Sequence, residues 1–397
     1  MNNPNNKSVF ISGAGVAGLT CAIALAQKGF QIRVFEKFEK LEPLGAGLQL
    51  SPNAMHVLDK LGLGEQIRQI GTQPGSLIIA NGITGKHLST IKLGKAIEHK
   101  FGNPYLVIHR SDLQAVLLDA CRNHNNITLD FSGEVENFNY NNDLLRVTVS
   151  VRETIQEYPC SALVVADGVW SRLRTHVLGL SPARYSHKIA WRALIPSQRC
   201  KNKDWLRHTH VWLGPNSHVV FYPVSAGDFL NVVIITDGSD INPDQNLSID
   251  SNMLRNHFSG WGGDFLQVLN VQEDWTGWPL FEHGAAEMVG SGPVVLAGDA
   301  AHAMLPFAAQ GAAMAIEDAG ILADEFSSNT SITEAAKSYS ERRLARVNKV
   351  MKFARSNGNI YHFSGPMAFA RDLGMRLIPD GLLAARQDWI YGWTLED

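Results

Sequence analysis

The sequence predicts an α/β fold: a doubly wound parallel-sheet domain, an inserted antiparallel β-sheet unit, and helices at the C-terminal end. Three observations carry this reading. Residues 7–37 read as strand, glycine loop, helix and strand; two later buried runs each end in a carboxylate beside a glycine; and alternating segments fill 187–282. A chain of 397 residues also exceeds one core, so two packed units with a tail are expected.

"KSVFISGAGVAGLTCAIALAQKGFQIRVFEK" (7–37) opens the first unit. A β-branched run at 8–12 meets a glycine-rich turn, and an Ala/Leu-rich helix follows to Lys28, where Gly29 stops it. "QIRVFE" (31–36) is the second strand, completing a βαβ unit of about 30 residues. "NAMHVLDKLGLGEQIRQIG" (53–71) reads as one helix, and "RSDLQAVLLDACRNH" (110–124) as another with Ser111 as N-cap. Short alternating segments from 127 onward end in "SALVVADG" (161–168), a run apolar enough for a parallel strand buried on both faces. "KIAWRALIP", "HTHVWLG", "HVVFYPV" and "FLNVVIIT" then alternate as strands of the second unit. "PVVLAGD" (293–299) returns to the buried pattern, which makes the first unit discontinuous, and from 310 the pattern is helical. The expected boundaries are 1–72, 104–181 and 287–330 for the nucleotide-type domain, 73–103 and 182–286 for the sheet domain, and 331–397 for the helical region.

Composition narrows the function classes. The chain is 45% apolar and 18% charged with net charge −3, so no global field draws it to nucleic acid or anionic lipid. Cys21, Cys121, Cys160 and Cys200 lie far apart with no C-x-x-C, which fits buried reduced thiols better than a disulfide framework or zinc site. His208 and His210 alternate onto one face but lack an acid or cysteine cluster, so no metal site is expected. The first ten residues lack an apolar signal core, and no uncharged run approaches the ~18 apolar residues of a membrane span. A cytoplasmic, enzyme-sized protein with no nucleic-acid or membrane partner is the expectation.

Gly13-Ala14-Gly15-Val16-Ala17-Gly18 fits G-x-G-x-x-G, the Rossmann-type fingerprint. Gly13 permits the turn, Gly15 lets backbone amides approach a pyrophosphate, and Gly18 allows close helix–strand packing, with the helix N-terminus adding its positive dipole end. Glu36, at the end of the second strand, is placed to bind ribose hydroxyls, which disfavours a 2′-phosphorylated cofactor. Asp167-Gly168 in "VVADGVWSRLR" (164–174) reads by itself as a turn. In "GDAAHAMLPFAAQG" (298–311), Asp299 can bond a second set of sugar-like hydroxyls, while the small residues let backbone approach a flat ring. His218 and Tyr222 are four apart in one strand and share a face; without further information they read as half-buried polar residues.

In this order, GAGVAG, VVADGVWSRLR and AGDAAHAMLPFAAQG resemble the GxGxxG, DG and GD motifs of the single-component (group A) FAD-dependent aromatic hydroxylases. "GAGLQLSPNA" (45–54), "HRSDL" (109–113), "AWRALIP" (190–196) and "DWIYGW" (388–393) extend the resemblance over nearly the whole chain. It implies a p-hydroxybenzoate hydroxylase-like fold with FAD in the Rossmann site. Gly13, Gly15, Ala17, Gly18, Glu36, Gly47, Arg110, Asp167, Asp299, Pro306, Gln310, Gly311 and Ala312 would then contact the cofactor. Pro306, Gln310 and Gly311 would lie beside the isoalloxazine, and His302 would support the loop through a hydrogen bond. His218 and Tyr222 would face the substrate ring as the catalytic pair, with Gln49, Pro306 and Phe307 completing the substrate pocket.

The resemblance further implies a small aromatic substrate, O2, and NADH (or NADPH) as a transient co-substrate, in a monomer or homodimer. Relatives of the hydroxynicotinate branch carry His where this chain has Gln49 and Phe307, and "GAGLQLSPNA" with "HAMLPF" is more similar to salicylate hydroxylases. Salicylate, converted to catechol with release of CO2, is therefore the expected substrate. Hydroxylation of 3-hydroxybenzoate or an N-heteroaromatic such as hydroxynicotinate is the alternative, and a non-catalytic flavin-binding sensor is the second. A flavin halogenase is disfavoured because "DWTGWP" (274–279) does not fit W-x-W-x-I-P.

Overall fold

A computed structural model describes residues 8–41, 47–152, 154–238, 247–262, 265–270, 272, 274–284, 288–290 and 292–397. Gly45, Ala46 and the expected boundary at 286/287 lie outside these. The strands in chain order are β1 (Ser8–Ser12), β2 (Gln31–Glu36), β3 (Gly47–Leu50), β4 (Ser76–Asn81), β5 (His87–Lys92), β6 (Leu106–His109), β7 (Ile127–Phe131), β8 (Gly133–Asn141) and β9 (Leu144–Val151). They continue with β10 (Thr154–Cys160), β11 (Ala162–Val165), β12 (Arg184–Pro196), β13 (Thr209–Gly214), β14 (Ser217–Val224), β15 (Phe229–Asp237), β16 (Leu247–Asp250), β17 (Asp274–Glu282) and β18 (Val294–Leu296).

A five-stranded sheet in the order β18-β11-β1-β2-β7, all parallel, forms the first layer. Its middle strands read as continuous apolar runs because helices and a second sheet cover both faces: Val9, Ile11 and Leu163 to Val165 are fully buried. The Val16–Gln27 helix packs on one face with the Gly311–Ser328 helix against it. On the other, Tyr158 from the antiparallel β8–β10 sheet meets the rings of Phe10 and Phe35. Strands ending in carboxylates thus place Glu36 and Asp167 at the carboxyl edge of a doubly wound sheet, where such folds bind ligands.

The second sheet has eight strands in the order β16-β17-β12-β15-β14-β13-β4-β5. It is mixed and not wholly antiparallel as the alternation suggested, because β13 and β4 run parallel. Two smaller expectations also change. The 53–71 helix is split into Pro52–Lys60 and Gly64–Ile70, since Gly62 adopts φ 78° and the Leu63 N–H returns to the Leu58 carbonyl, a C-terminal stop. Ser111 lies inside its helix, which starts at Arg110, and its hydroxyl meets His109 Nδ1 at 2.6 Å instead of capping. No helix among the described residues is long and apolar enough to cross a membrane.

Candidate active site

The glycine loop performs three distinct tasks. Gly13 sits at φ 99°, and a Cβ there would come within 2.5 Å of the Ala166 carbonyl oxygen. A Cβ on Gly18 would stand 1.9 Å from the Gly13 oxygen, so helix and strand touch through bare backbone. Gly15 instead faces open space. The first intrahelical bond from the loop runs from the Leu19 N–H to the Gly15 carbonyl, which leaves the amides of Val16, Ala17 and Gly18 as terminal donors at the positive end of the helix.

Glu36 is anchored by the Ala14 N–H (2.9 Å) and the Phe38 N–H (3.1 Å), one to each oxygen, with further lone pairs on both. It lines a cavity of about 360 Å3 together with Gly13, Gly15, Arg110 and Asp167. A second cavity of about 310 Å3 runs on toward the eight-stranded sheet, and Gly15, Arg110, Ala166 and Gly168 line both. The two form one trough. Beside the shared residues Ala166 and Gly168, Asp167 Oδ1 is buried without a hydrogen-bond partner among the described residues, and burial pushes the carboxyl up to about 6 against the opposing Ser171 hydrogen bond.

The 298–311 stretch forms the floor of the second cavity through Asp299, Met304, Pro306 and Gly311. Gly298 at φ 60° starts one helical turn, Asp299–His302. Buried His302 Nε2 meets Asp318 Oδ2 at 2.7 Å, the Gly298 N–H donates to the same oxygen, and Arg343 Nε donates to Oδ1. Burial opposes ionisation of Asp318, but His302 and Arg343 outweigh it and hold the carboxyl down at about 2. His302 is therefore a loop support, as expected. Arg174 of the DG stretch donates to the carbonyls of Ala300 and Ala301, tying the DG and GD segments together.

The cavity's opposite wall is the face of the large sheet. The register pairs Arg192 with Val233, Val233 with Val220, His218 with Ile235 and Tyr222 with Asn231, so these side chains share a face. Arg192, His218, Val220 and Tyr222 all line the cavity with Gln49. Arg192 Nε is buried without a partner, and the guanidinium pairs with no carboxylate among the described residues. Tyr222, pushed upward by burial, hydrogen-bonds Gln49, which also accepts from Tyr105. His218 Nδ1 meets His362 Nε2 at 2.8 Å, and burial drops the His218 imidazole well below its ordinary value.

Some expected contacts fall elsewhere. The Gln310 side chain turns away from the cavity to Ser51 and Asn53, whose buried polar groups need it. Phe307 does not line the cavity but packs beside it on the same sheet face, against Ala190 and Ile235 and 5.5 Å from the His218 ring. Gly18 touches neither cavity, its role being helix–strand packing. His210 stacks on Phe221 at 4.6 Å, and among the described residues no group of three His, Cys, Asp or Glu side chains is placed to hold a metal. Sequence reasoning missed Arg192, although a charge inside the apolar "AWRALIP" was a signal, and missed His362, which stands 144 residues from His218 with nothing to mark it.

The trough fits an extended dinucleotide bearing a flat ring: helix-terminal amides, an anchored acid at one end, an orphaned buried carboxylate oxygen midway and a floor of small residues. Residues 6–354 match a family described as an FAD binding domain. The chain is 32% identical over 388 residues to 3-hydroxybenzoate 6-hydroxylase 1 of Aquipseudomonas alcaligenes, covering 98% of each. It is 28% identical over 354 residues to 6-hydroxynicotinate 3-monooxygenase of Bordetella bronchiseptica, covering 88% of this chain and 91% of that one. The fold is shared with a salicylate hydroxylase substrate complex at TM-score 0.84 and 20% identity, over 99% and 97% of the two chains. The chain thus belongs to the single-component FAD-dependent aromatic hydroxylases.

Proposed function

We propose that the protein hydroxylates a monohydroxybenzoate whose acid and phenol groups lie on separate ring edges, 3-hydroxybenzoate first, at the carbon para to the hydroxyl. The observation that carries this is Arg192: a half-buried side chain whose Nε is buried and unpartnered, and whose guanidinium pairs with no carboxylate among the described residues, facing the same cavity as His218 and Tyr222. A guanidinium facing a cavity with a buried, unpartnered Nε suits an anionic ligand. β12 and β14 flank β15, so the guanidinium and the imidazole stand on strands roughly 10 Å apart, room for one substituted ring between them. Salicylate, with its two groups adjacent, meets this separation less well, and the 3-hydroxybenzoate 6-hydroxylase relative also supports the alternative over the salicylate reading. The 6-hydroxynicotinate relative supports a hydroxylated pyridine acid as the second reading, since it too carries a carboxylate.

In this reading Glu36 and Asp167 hold the sugar hydroxyls of FAD, Asp299 its ribityl chain, the Val16–Gly18 amides its pyrophosphate, and Gly311 and Ala312 the ring edge. When bound, FAD takes reducing equivalents from NAD(P)H and activates O2 for transfer of one oxygen atom. The chain supplies the rest. Arg192 fixes the carboxylate, Tyr222 and Gln49 orient the ring, and neutral His218 accepts the phenol proton, which raises electron density at the para carbon. The balance is 3-hydroxybenzoate, O2, NADH and H+ giving 2,5-dihydroxybenzoate, NAD+ and water.

Oxygen uptake with NADH across 2-, 3- and 4-hydroxybenzoate and 6-hydroxynicotinate tests the reading, with products identified by mass spectrometry. The expected outcome is 2,5-dihydroxybenzoate from the 3-isomer; catechol from salicylate as the fastest reaction overturns it. Arg192→Met is expected to raise KM for the hydroxybenzoate about 10- to 100-fold, the range of a lost charge-assisted hydrogen bond.

A further inference from the structure

The His218 imidazole has a second imidazole behind it. His218 is 3% exposed and faces the cavity, whereas His362 is half-buried at the C-terminal end of the Ile332–Tyr361 helix. Their facing nitrogens are 2.8 Å apart. His362 is held in place by its backbone, whose carbonyl accepts the Asn216 N–H from the turn before β14. Around the pair, Phe307 and Tyr361 pack against His218, Lys188 from β12 acts on both rings, and Asp237 from β15 and Arg371 from the Gly365–Leu377 helix act on His362. Lys188 and Asp237 form an ion pair at 3.0 Å whose carboxylate is about half exposed (49%).

We propose that His362 is the outer member of a two-imidazole proton relay that carries the phenol proton from the cavity to solvent at the Lys188–Asp237 edge. This rests on the hydroxybenzoate reading of the cavity. The phenol O–H gives its proton to His218 Nε2, His218 Nδ1–H gives its proton to His362 Nε2, and His362 Nδ1–H gives its proton to water. The phenolate keeps the electron pair of the broken O–H bond, and no redox change occurs. Both rings end in the other tautomer and are reset when the relay runs backwards to protonate the product phenolate. Burial lowers both imidazoles, His362 to about 4, so neither stores a proton at neutral pH and the transfer passes through without a lasting imidazolium.

His362 is a positioning residue, since it reaches the substrate only through His218. The test mixes oxidised, FAD-loaded protein with 3-hydroxybenzoate in weak buffer and follows proton release with a pH-indicator dye, with ligand binding read in parallel from the flavin absorbance. In the wild type, release keeps pace with binding. His362→Gln is expected to bind the ligand within about twofold of wild type yet release the proton at least ~10-fold more slowly. His362→Gly should recover the fast phase when imidazole is added. Release at the wild-type rate in His362→Gln overturns the relay, and so does a parallel loss of binding that imidazole does not repair. If the wild type does not bind 3-hydroxybenzoate, the substrate reading falls. The relay is then judged by the 15N–15N coupling across the His218–His362 hydrogen bond, whose absence overturns it.

Discussion

Asp167 is a carboxylate whose environment opposes its own charge. Its Oδ1 has no partner among the described residues, and burial raises the carboxyl from 3.8 to about 6. With the folded value above the unfolded one, its contribution to stability is complete below about pH 3.8, is lost as pH rises through 6, and stays lost above that. About two units amount to at most ~3 kcal/mol, less where cavity water screens the group. Asp167→Asn should therefore raise the melting temperature of the FAD-free protein at pH 8 by a few degrees while weakening FAD binding. The stability gap should narrow on acidification to pH 5. A gap independent of pH, measured by circular dichroism melts, would show that the ionised form carries no such cost. Residues of this kind were legible when local spacing fixed them: Gly13 and Glu36 are set by one βαβ unit. Arg192 was not, because its meaning depends on being two strands away from His218 in a register that no local pattern states.

The Gly311–Ser328 helix carries a polar spine where its pattern would suggest plain core. Glu317 and Asp318 are fully buried; Arg343 and Arg346 from the next long helix pair with Glu317, Arg343 also with Asp318, and Asn53 bonds Glu317. Asp318 passes this tie on to Gly298 and His302, so the floor of the cavity is fastened to two helices behind it. Breaking one partner of such a network leaves a charge buried, a loss of about 3–5 kcal/mol. Asp318→Asn is expected to lose that much in denaturant unfolding and to bind FAD more weakly, whereas a surface pair such as Lys28–Asp324 should be near neutral. Wild-type FAD affinity in a destabilised Asp318→Asn would separate the spine from the cavity floor. At this scale strands and helices were readable from their periods. The misread helix break at Gly62 and the parallel β13–β4 pair arose because a left-handed glycine and a long-range pairing leave no periodic trace.

The whole molecule sets the trough along the parallel sheet against the wall of the eight-stranded sheet, and in the proposed function cofactor and substrate have to meet between them. They meet at Gly47. Its N–H donates to Asn231 Oδ1 at 2.9 Å, and a Cβ there would lie 2.5 Å from Tyr222 Cε2 and 2.9 Å from its hydroxyl. The order of motifs along the chain revealed that two units exist, but not this contact, which joins residues 175 to 184 positions apart. Tyr222 is almost fully buried, so a methyl group at residue 47 has to displace the ring or move β3 away from β14. In the proposed binding mode, either shift separates substrate from cofactor without touching the glycine loop or the acids assigned to the nucleotide. A misplacement of about 1 Å can cost 10²-fold in a positioned reaction. Gly47→Ala is accordingly expected to retain bound FAD and NADH oxidation while the yield of hydroxylated product per O2 consumed falls several-fold, with hydrogen peroxide making up the difference. A variant that keeps the wild-type product-to-oxygen ratio would mean that the two sheets tolerate slack at this point, and that the close approach of Gly47 to Tyr222 does not set the geometry of hydroxylation.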